Sequence, residues 1–307
     1  MIKVSIVIPV YNDHESLVKL IKRIDSLELG KYLLNIIIVD DFSEKKVSSI
    51  LAKNKYHKIN SITVIRLKHN YGHQLAIKEG LCESLDMLSD YTVVMDGDGE
   101  DNPEEIGDLV NESVKFKRIV VASRGERYDS LIFKTFYKIY ILLFKMMTGK
   151  IINFGNFSVI PRNQLEVICS MSTIGIHYPA TLLKTKLEIK HLKIDRGKRY
   201  LGESKMNLTS LIYHGLKSFC VFNEIVIPRL LIFSSGIIAF IILSIATIVT
   251  LKLMGQATPG WASNLASSLL ILSFQVFTIA FISLISLPST KPIEGNLASS
   301  KSTRNFG

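Results

Sequence analysis

Cysteine is scarce in this sequence. The three residues present, Cys82, Cys169 and Cys220, stand far apart, so they offer neither the close pairs of a zinc site nor a disulfide framework. Isolated cysteines suit a reducing compartment. A secretory leader is also missing, because the short apolar run in MIKVSIVIPV is followed at once by polar residues. We therefore expect residues 1 to about 227 to lie in the cytoplasm.

Charged residues are absent from two long stretches near the C-terminus. Neither Leu230 to Leu251 nor Leu265 to Leu287 contains Asp, Glu, Lys or Arg. Each run has roughly the 20 apolar residues that cross a bilayer core. Two buried core helices are the alternative, but the short polar link between the runs favours two transmembrane helices. The positive-inside rule would then place the flanking cations in the cytoplasm: Arg229, Lys291, Lys301 and Arg304.

The formal net charge is +10 at pH 7. Nucleic-acid binding is one interpretation, but beside two apolar spans an attraction to anionic lipid head groups explains the charge better. Two segments, Ile132–Met147 and Met206–Ile227, interleave lysines with aromatic residues. Such helices often lie in the head-group layer of a membrane. An ordinary docking helix explains the first segment equally well and the second less well.

The first ~125 residues alternate short apolar segments with helical patterns, and no internal repeat occurs. The predicted strands are KVSIVIPV, LNIIIVDD, SITVIRL, YTVVMD and RIVVAS. Predicted helices follow them at residues 13–27, 72–88 and 103–116. Continuous apolar strands alternating with helices indicate an α/β fold with a mostly parallel sheet covered on both faces.

Polar residues cluster where these strands end. In such sheets ligands bind beyond the carboxyl ends of the strands, so the polar tips together predict one site. The tip residues are Tyr11, Asn12 and Asp13, then Asp40 and Asp41, then Asp96, Asp98 and Glu100, then Ser123, Arg124 and Arg127.

Asp96-Gly97-Asp98 directly follows a predicted strand. Carboxylate oxygens suit Mg²⁺ or Mn²⁺, and these ions complete their shells with substrate phosphates. Alone the pattern is weak evidence, because Asp-Gly turns are common. The other polar strand tips strengthen it.

The motifs SIVIPVYND, IIIVDDFS, NYGHQLAIKEGL, VVMDGDGEDNPEEI and ASRGERYDS occur in the order typical of family 2 glycosyltransferases with the GT-A fold. RGKRYLGESKMNLTSLI and two apolar runs follow. The chain thus resembles the polyisoprenyl-phosphate glycosyltransferases, which include dolichol-phosphate mannose synthase and the bactoprenol glucosyltransferases. The resemblance extends from Val4 to Ile285 and specifies neither the sugar nor the nucleotide.

The resemblance implies roles for particular residues. Pro9, Tyr11, Asn12, Asp13, Asp41, Asn70 and Lys78 would line the nucleotide site. Asp96, Asp98 and Glu100 would bind the metal and the diphosphate. Arg124, Arg127, Arg196, Arg199, Ser204 and Lys205 would hold the phosphates of donor and lipid. A solvated basic loop is the alternative for the cations from Arg196 to Lys205. His73 stands at a helix start, where phosphate binding and a plain cap are equally open.

Three departures from the family pattern stand out. Phe42 occupies a turn position where relatives usually have Gly, and Asn156 stands where many carry an acid. The tail lacks the Gly-Glu-Tyr type of ending that is common in bacterial members. The resemblance therefore does not establish three features: the conformation of the turn at Phe42, a base at residue 156 and the usual C-terminal assembly contacts.

We expect four parts: a GT-A catalytic domain (1–205), a juxtamembrane amphipathic helix (206–227), two transmembrane helices (228–288) and a disordered tail (289–307). The resemblance implies inverting transfer of a sugar, with UDP-sugars preferred, to undecaprenyl or another polyprenyl phosphate. The enzyme would lie at the cytoplasmic face of the bacterial inner membrane, as a homo-oligomer in which a tetramer has family precedent.

Two other functions remain open at this point. A polysaccharide synthase with a sugar-hydroxyl acceptor would need a general base, and two spans make a poor translocation channel. A catalytically silent nucleotide-sugar-binding scaffold would bind the donor without turnover. A transporter fits least, because two spans could form a pathway only in an oligomer.

Overall fold

The computed structural model describes residues 1–51, 54–124, 131–195, 197–201, 208–256, 260–285 and 297–306. Within them the chain forms two compact units. The first comprises residues up to Phe144, Lys150–Val221 and the C-terminal segment. The second comprises Lys145–Gly149 and the described residues from Phe222 onwards that precede that segment.

The strands belong to the first unit. They are β1 (Ile2–Val10), β2 (Tyr32–Asp40), β3 (Ile59–Leu67), β4 (Tyr91–Val94), β5 (Ile119–Arg124), β6 (Phe154–Pro161), β7 (Ile189–Ile194) and β8 (Ala298–Asn305).

Ten α-helices lie within the described residues. They are α1 (His14–Ser26), α2 (Val47–Leu51), α3 (His73–Asp86), α4 (Ile106–Phe116), α5 (Leu131–Thr148), α6 (Arg162–Ser170), α7 (Tyr178–Lys184), α8 (Leu208–Cys220), α9 (Asn223–Leu253) and α10 (Trp261–Ile285).

One sheet carries all eight strands, in the order β7-β5-β6-β4-β1-β2-β3-β8. Six strands run in the same direction, while β6 and β8 run against their neighbours. The predicted α/β class with a mostly parallel sheet is confirmed. The sequence analysis had not assigned β6, β7 or β8.

Helices cover both faces of this sheet because its central strands are apolar on both sides. Ile6 and Ile8 of β1 face a cluster that contains Leu20 of α1 and Leu109 of α4. Val7, between them, faces the opposite cluster beneath α3. Helix α3 lies so close to β1 that a Cβ at Gly80 would overlap Val7. Because α3 packs this closely on β1, its first residue is held at the edge of the sheet.

Helices α9 and α10 make up most of the second unit. By length and composition, α9 is the one described helix able to cross a membrane. Helix α10 is present, but its apolar stretch with described side chains, Ser263–Ile279, is shorter. The prediction of transmembrane helices is thus supported for α9 and left as a prediction for α10.

The structure corrects two predicted boundaries. The juxtamembrane helix expected at 206–227 ends at Cys220, and α9 already begins at Asn223 and continues through Pro228. The tail expected to be disordered contains β8, which pairs antiparallel with β3. Backbone pairing with an otherwise open sheet edge explains that order, because it needs no apolar sequence pattern.

His177 is the N-cap residue of α7, and its Nδ1 accepts a hydrogen bond from the Ala180 N–H at 3.2 Å. Its ring meets that of His214 on α8 edge to face, with centroids 4.4 Å apart. Burial lowers the pKa of His177 to about 3, and His214 and Lys217 add to the effect. The folded protein therefore holds this imidazole neutral.

Replacing His177 with Asn should flatten the pH dependence of stability. Because the folded pKa is depressed, the stabilising contribution is complete above pH 6.5 and is lost as the pH falls toward 3. Asn keeps a capping oxygen but does not titrate. We expect the thermal midpoint of the full chain in detergent to fall less between pH 7 and pH 5 in the variant. His57→Asn, at an exposed histidine, is the control, and identical pH slopes in all three proteins would contradict the assignment.

Candidate active site

Strands β1, β2, β3, β4, β5 and β7 point their carboxyl ends to one edge of the sheet. Because β6 runs the other way, its first residues lie at that same edge. Described side chains from the loops after β1, β2, β4 and β7, from the start of α3 and from the first residues of β6 therefore lie there.

The loops after β1 and β2 are joined by hydrogen bonds. The Asn12 N–H donates to the Ser43 hydroxyl, and the Asn12 side-chain oxygen accepts from the Glu44 N–H, both at 2.9 Å. Below them, buried Asp40 is held by Arg66 at 2.8 Å. These contacts fix the two loops as a single rigid rim.

Phe42 lies within this rim at a φ of +65°, in the left-handed region. This conformation explains why relatives usually have Gly there, since Gly adopts it without cost. In this chain the Arg66 guanidinium lies 5.2 Å from the centre of the Phe42 ring. The turn therefore keeps the conformation suited to Gly, and an aromatic ring covers the Arg66–Asp40 pair.

Asp41 supports the loop that leads into α3. Its two carboxylate oxygens accept from the N–H groups of Tyr71 and Gly72, at 2.8 and 2.9 Å. Burial raises the pKa of Asp41, although both N–H groups favour its charged form. Exposed Asn70 precedes this loop. Asp41 therefore sets the position of the expected nucleotide loop.

The Asp96–Asp101 segment forms a tight turn. The Asp96 N–H donates to Asp101 Oδ2 at 2.8 Å, and the Glu100 N–H donates to Asp98 Oδ1 at 3.0 Å. Gly99 has a φ of +90°, and a Cβ there would overlap the Tyr200 ring. Only Gly satisfies both constraints, which explains the glycine between Asp98 and Glu100.

The basic loop packs directly on this turn. The N–H groups of Gly197 and Tyr200 donate to the carbonyl oxygens of Glu100 and Asp98, at 2.8 and 2.9 Å. Arg199 then lies 3.4 Å from Asp98 Oδ2 and 3.6 Å from Asp13 Oδ2. One guanidinium thus links the tip of β1 to the acidic turn after β4.

Arg23 of α1 stabilises this loop through hydrogen bonds. It donates to the Tyr200 hydroxyl at 2.8 Å and to Asn102 at 2.9 Å, and it pairs with Glu104. Tyr200 is thereby held beneath Gly99, and Arg199 is held beside Asp98.

Asp96 receives two side-chain donors. His73 Nε2, at the first residue of α3, lies 3.1 Å from Asp96 Oδ1, and Asn156 Nδ2 lies 3.1 Å from the same oxygen. Burial lowers the pKa of His73, but the carboxylates of Asp96, Asp98 and Asp41 outweigh it, so the pKa lies above its usual value. Asn156 therefore acts here as a hydrogen-bond donor to a carboxylate.

The structure brings together Asp13, Asp96, Asp98 and Arg199 among the predicted residues, with Asn12 and Asp41 in the adjoining rim. Pro9 pairs within the β1–β2 ladder, Tyr11 is exposed, and Lys78 lies beside the turn at Gly175. Arg127, Arg196, Ser204 and Lys205 lie outside the described residues. Arg124 ends β5, and its side chain is not described.

Sequence reasoning missed four contributors: His73, Asn156, Arg23 and Tyr200. His73 follows the NYG motif, where phosphate binding at the helix start and a plain cap were both open, but its contact with Asp96 was not expected. Asn156 was noted only as a missing acid. Arg23 and Tyr200 carry no motif, because their role depends on two segments separated by 177 residues that meet only in the fold.

The acids at this edge fit a divalent ion in part. Asp96 and Asp98 supply hard oxygen atoms. Among the described residues, however, no group of three or more His, Cys, Asp or Glu side chains is arranged to hold a metal. The predicted three-residue set with Glu100 is therefore not assembled here. The two aspartates suit an ion that takes the rest of its shell from substrate phosphates and water.

Known proteins are similar to this chain in sequence and in fold. Undecaprenyl-phosphate 4-deoxy-4-formamido-L-arabinose transferases of Salmonella paratyphi B and Salmonella newport are each 31% identical over 221 residues. The match covers 69% of this chain and 65% of the relatives' length. The chain thus spans slightly less than two thirds of the curated relatives it matches.

Two crystal structures show the same fold at low sequence identity. Mannosyl-3-phosphoglycerate synthase from Rubrobacter xylanophilus gives a TM-score of 0.52 at 19% identity, covering 73% of each chain. Glucosyl-3-phosphoglycerate synthase from Mycobacterium tuberculosis, in complex with Mn²⁺, UDP and glucosyl-3-phosphoglycerate, gives 0.54 at 13% identity, covering 73% of this chain and 80% of that one. Both support the predicted GT-A fold.

Residues 5–172, more than half of the chain, match the family described as Glycosyl transferase family 2. The match contains most of β1, all of β2 to β6 and every described acid of the site from Asp13 to Asp101. This chain belongs to the family 2 glycosyltransferases.

Proposed function

We propose that the protein transfers a sugar from a nucleotide-diphosphate sugar to undecaprenyl or a related polyprenyl phosphate. The observation that carries this proposal is Arg199, which lies between Asp13 and Asp98 and belongs to the basic loop that precedes the membrane-type helices. The relatives at 31% identity are named for transfer to undecaprenyl phosphate, which supports the same acceptor class here.

The donor would lie along the rim and the acidic turn. Pro9, Tyr11, Asn12, Asp13, Asp41, Asn70 and Lys78 are the proposed nucleotide residues. A UDP-sugar is the preferred donor, and the M. tuberculosis structure with UDP and Mn²⁺ supports this choice for the fold. In this chain Asp96 and Asp98 would hold Mg²⁺ or Mn²⁺, which would offset the charge of the diphosphate.

Bringing two anions together is the main electrostatic obstacle to this reaction. Arg199 is already at the acidic turn, and it can exchange carboxylate contacts for phosphate oxygens. Arg124, Arg127, Arg196, Ser204 and Lys205 are the further residues that we propose for donor and lipid phosphates. A cluster of cations lowers the electrostatic free energy needed to bring the two anionic substrates together, without any covalent contribution from the protein.

The nucleophile would be an ionised phosphate oxygen, so the reaction needs no strong general base. Asn156 agrees with this, because it occupies the position where many relatives carry an acid, and its side-chain nitrogen contacts Asp96 and His73. The phosphate oxygen would attack the anomeric carbon opposite the departing diphosphate. The configuration at that carbon would therefore invert.

Helices α5 and α8 supply a membrane-facing surface in this proposal. They pack together through Tyr140 and Ser218, whose hydroxyl oxygens lie 2.8 Å apart. Large apolar side chains nevertheless stay exposed on both helices: Tyr137, Ile139, Leu142, Leu143, Ile212, Tyr213 and Leu216. Lys217 lies over the Tyr213 ring, as expected where aromatic and cationic groups meet lipid head groups.

Strand β8 constrains the membrane topology. It pairs with β3, so the end of the chain lies on the same side of any membrane as the catalytic unit. If α9 crosses the bilayer, the chain must cross back before β8. Helix α10, with 25 residues, lies between α9 and β8 in the chain, and we assign the return crossing to it. We therefore propose two spans in the bacterial inner membrane, a cytoplasmic catalytic domain and assembly as a homo-oligomer, with a tetramer as the working size.

Replacing Asp98 with Ala should abolish transfer while leaving the fold intact. The change removes an acid that faces Arg199 and the proposed metal, so we expect activity to fall by about 100-fold or more. The assay offers purified protein, undecaprenyl phosphate, Mg²⁺ or Mn²⁺ and labelled UDP- and GDP-sugars, and it measures label entering the organic phase.

Asp108→Ala, at an exposed position on α4, is the matched control and should retain full activity. Full activity in Asp98→Ala would overturn the role of the acidic turn. Label released only as free sugar or polymer would replace the lipid acceptor with a hydroxyl acceptor. Donor binding without any product would indicate a silent scaffold.

The proposed topology predicts opposite labelling of two engineered cysteines. In a chain without its native cysteines, Ser300→Cys in β8 should be shielded from an impermeant thiol reagent in intact cells. Gln256→Cys, in the link after α9, should react from outside. Labelling of Ser300→Cys before permeabilisation would contradict a second crossing by α10.

A further inference from the structure

A cleft of about 720 Å³ lies beside the first turns of α1. Its other walls are the segment from Lys45 to Ile50 and the loop that carries Arg199 and Leu201. This volume is within the range of small-molecule sites. All of the residues that line the cleft are described.

Hydrogen bonds hold two of these walls together. The His14 imidazole Nε2–H donates to the Lys45 carbonyl oxygen at 2.8 Å. The Asn12 side-chain oxygen accepts from the Glu44 N–H at 2.9 Å. The cleft is therefore a built part of the rim and not a gap between independent loops.

Three lysines make this cleft basic. Lys19 and Lys22 lie one turn apart on α1, and Lys45 lies on the opposite wall. Within the described part of the chain, none of the three has a carboxylate partner in ion-pair range. Of the two acids that line the cleft, Asp13 already faces Arg199, which leaves Glu15. The uncompensated positive charge favours an anion.

The same cleft has an apolar side formed by Val18, Ile50 and Leu201. An inorganic anion would contact the lysines alone. A phosphate attached to a carbon chain or ring would also bury these side chains. The lining therefore suits an amphipathic phosphate.

The cleft is separate from most of the proposed nucleotide residues. Asn12 and Asp13 line it, whereas Tyr11, Asp41 and Asn70 do not, and the three lysines are not among the residues proposed for donor or acceptor. Arg199 belongs to both places, since it lines the cleft and faces Asp98.

We propose that the cleft bounded by Lys19, Lys22 and Lys45 is a second anion-binding site, which takes a phosphate-bearing ligand distinct from the donor diphosphate. Ammonium groups act as point charges toward phosphate oxygens, and three of them match the charge of a phosphate monoester or diphosphate. The phosphate comes either from a free phosphate compound or from a lipid head group.

Binding measurements test this site without any turnover, so they stand apart from the proposed transfer. The full chain, in neutral detergent and freed of divalent metal on a chelating resin, is titrated with inorganic pyrophosphate by calorimetry. A second titration uses dihexanoyl phosphatidic acid, a water-soluble lipid phosphate. We expect saturable binding of one equivalent of at least one probe.

The variant Lys19→Gln/Lys22→Gln/Lys45→Gln should weaken that binding by about tenfold or more, because the charge-assisted contacts are lost. Lys115→Gln/Lys117→Gln/Lys186→Gln removes the same charge from exposed positions elsewhere and should bind as the native chain does. The melting temperatures of both variants establish that they are folded.

The two probes identify the source of the phosphate. Tighter binding of phosphatidic acid, weakened by Leu201→Ser while pyrophosphate binding is unchanged, indicates a lipid head group. Tighter pyrophosphate binding that is insensitive to Leu201→Ser indicates a free phosphate compound. The proposal is overturned if neither probe saturates the native chain, or if both triple variants lose affinity equally.

Discussion

Ionised carboxylates crowded at one edge of a sheet repel one another unless donors and cations face them. In this protein Asp13, Asp96 and Asp98 come from two strand tips. Arg199 and His73, from other segments of the chain, lie within ion-pair distance of these carboxylates. The basic loop packs on the Gly99 turn, and α3 starts at His73. Both arrangements place Arg199 and His73 beside the carboxylates and so reduce the repulsion between them. The same arrangement gives an anionic donor and an anionic acceptor a place to meet, because phosphate oxygens can take over the contacts that the carboxylates now make.

The direction of one strand decides which groups join that edge. Strand β6 runs against β4 and β5, so it presents its first residues where its neighbours present their last. Asn156 reaches Asp96 for this reason. A parallel strand in that place would bring residues near Pro161 to the site instead.

Much of this architecture was predictable from the sequence, and the exceptions have physical causes. Strands β1 to β5 are continuous apolar runs, which a buried parallel sheet requires. Strand β6 has Gly155 and Asn156 near its start, and β8 is polar after Ala298, so neither has that pattern. Asp96 and Asp98 were identifiable because two acids directly follow a buried strand. His73, Arg23 and Tyr200 were not, because their roles depend on contacts between distant segments.

Strand β8 also bears on how the protein is made. It completes the edge of a sheet whose first strand starts at Ile2, and α9 and α10 are synthesised between them. While the ribosome is still adding α9 and α10, the edge of β3 has no partner from its own chain. An open strand edge invites pairing with other chains. Sheet completion thus waits until β8 has been synthesised, and a ribosome that stalls within α10 would leave a catalytic unit with an open, aggregation-prone strand edge.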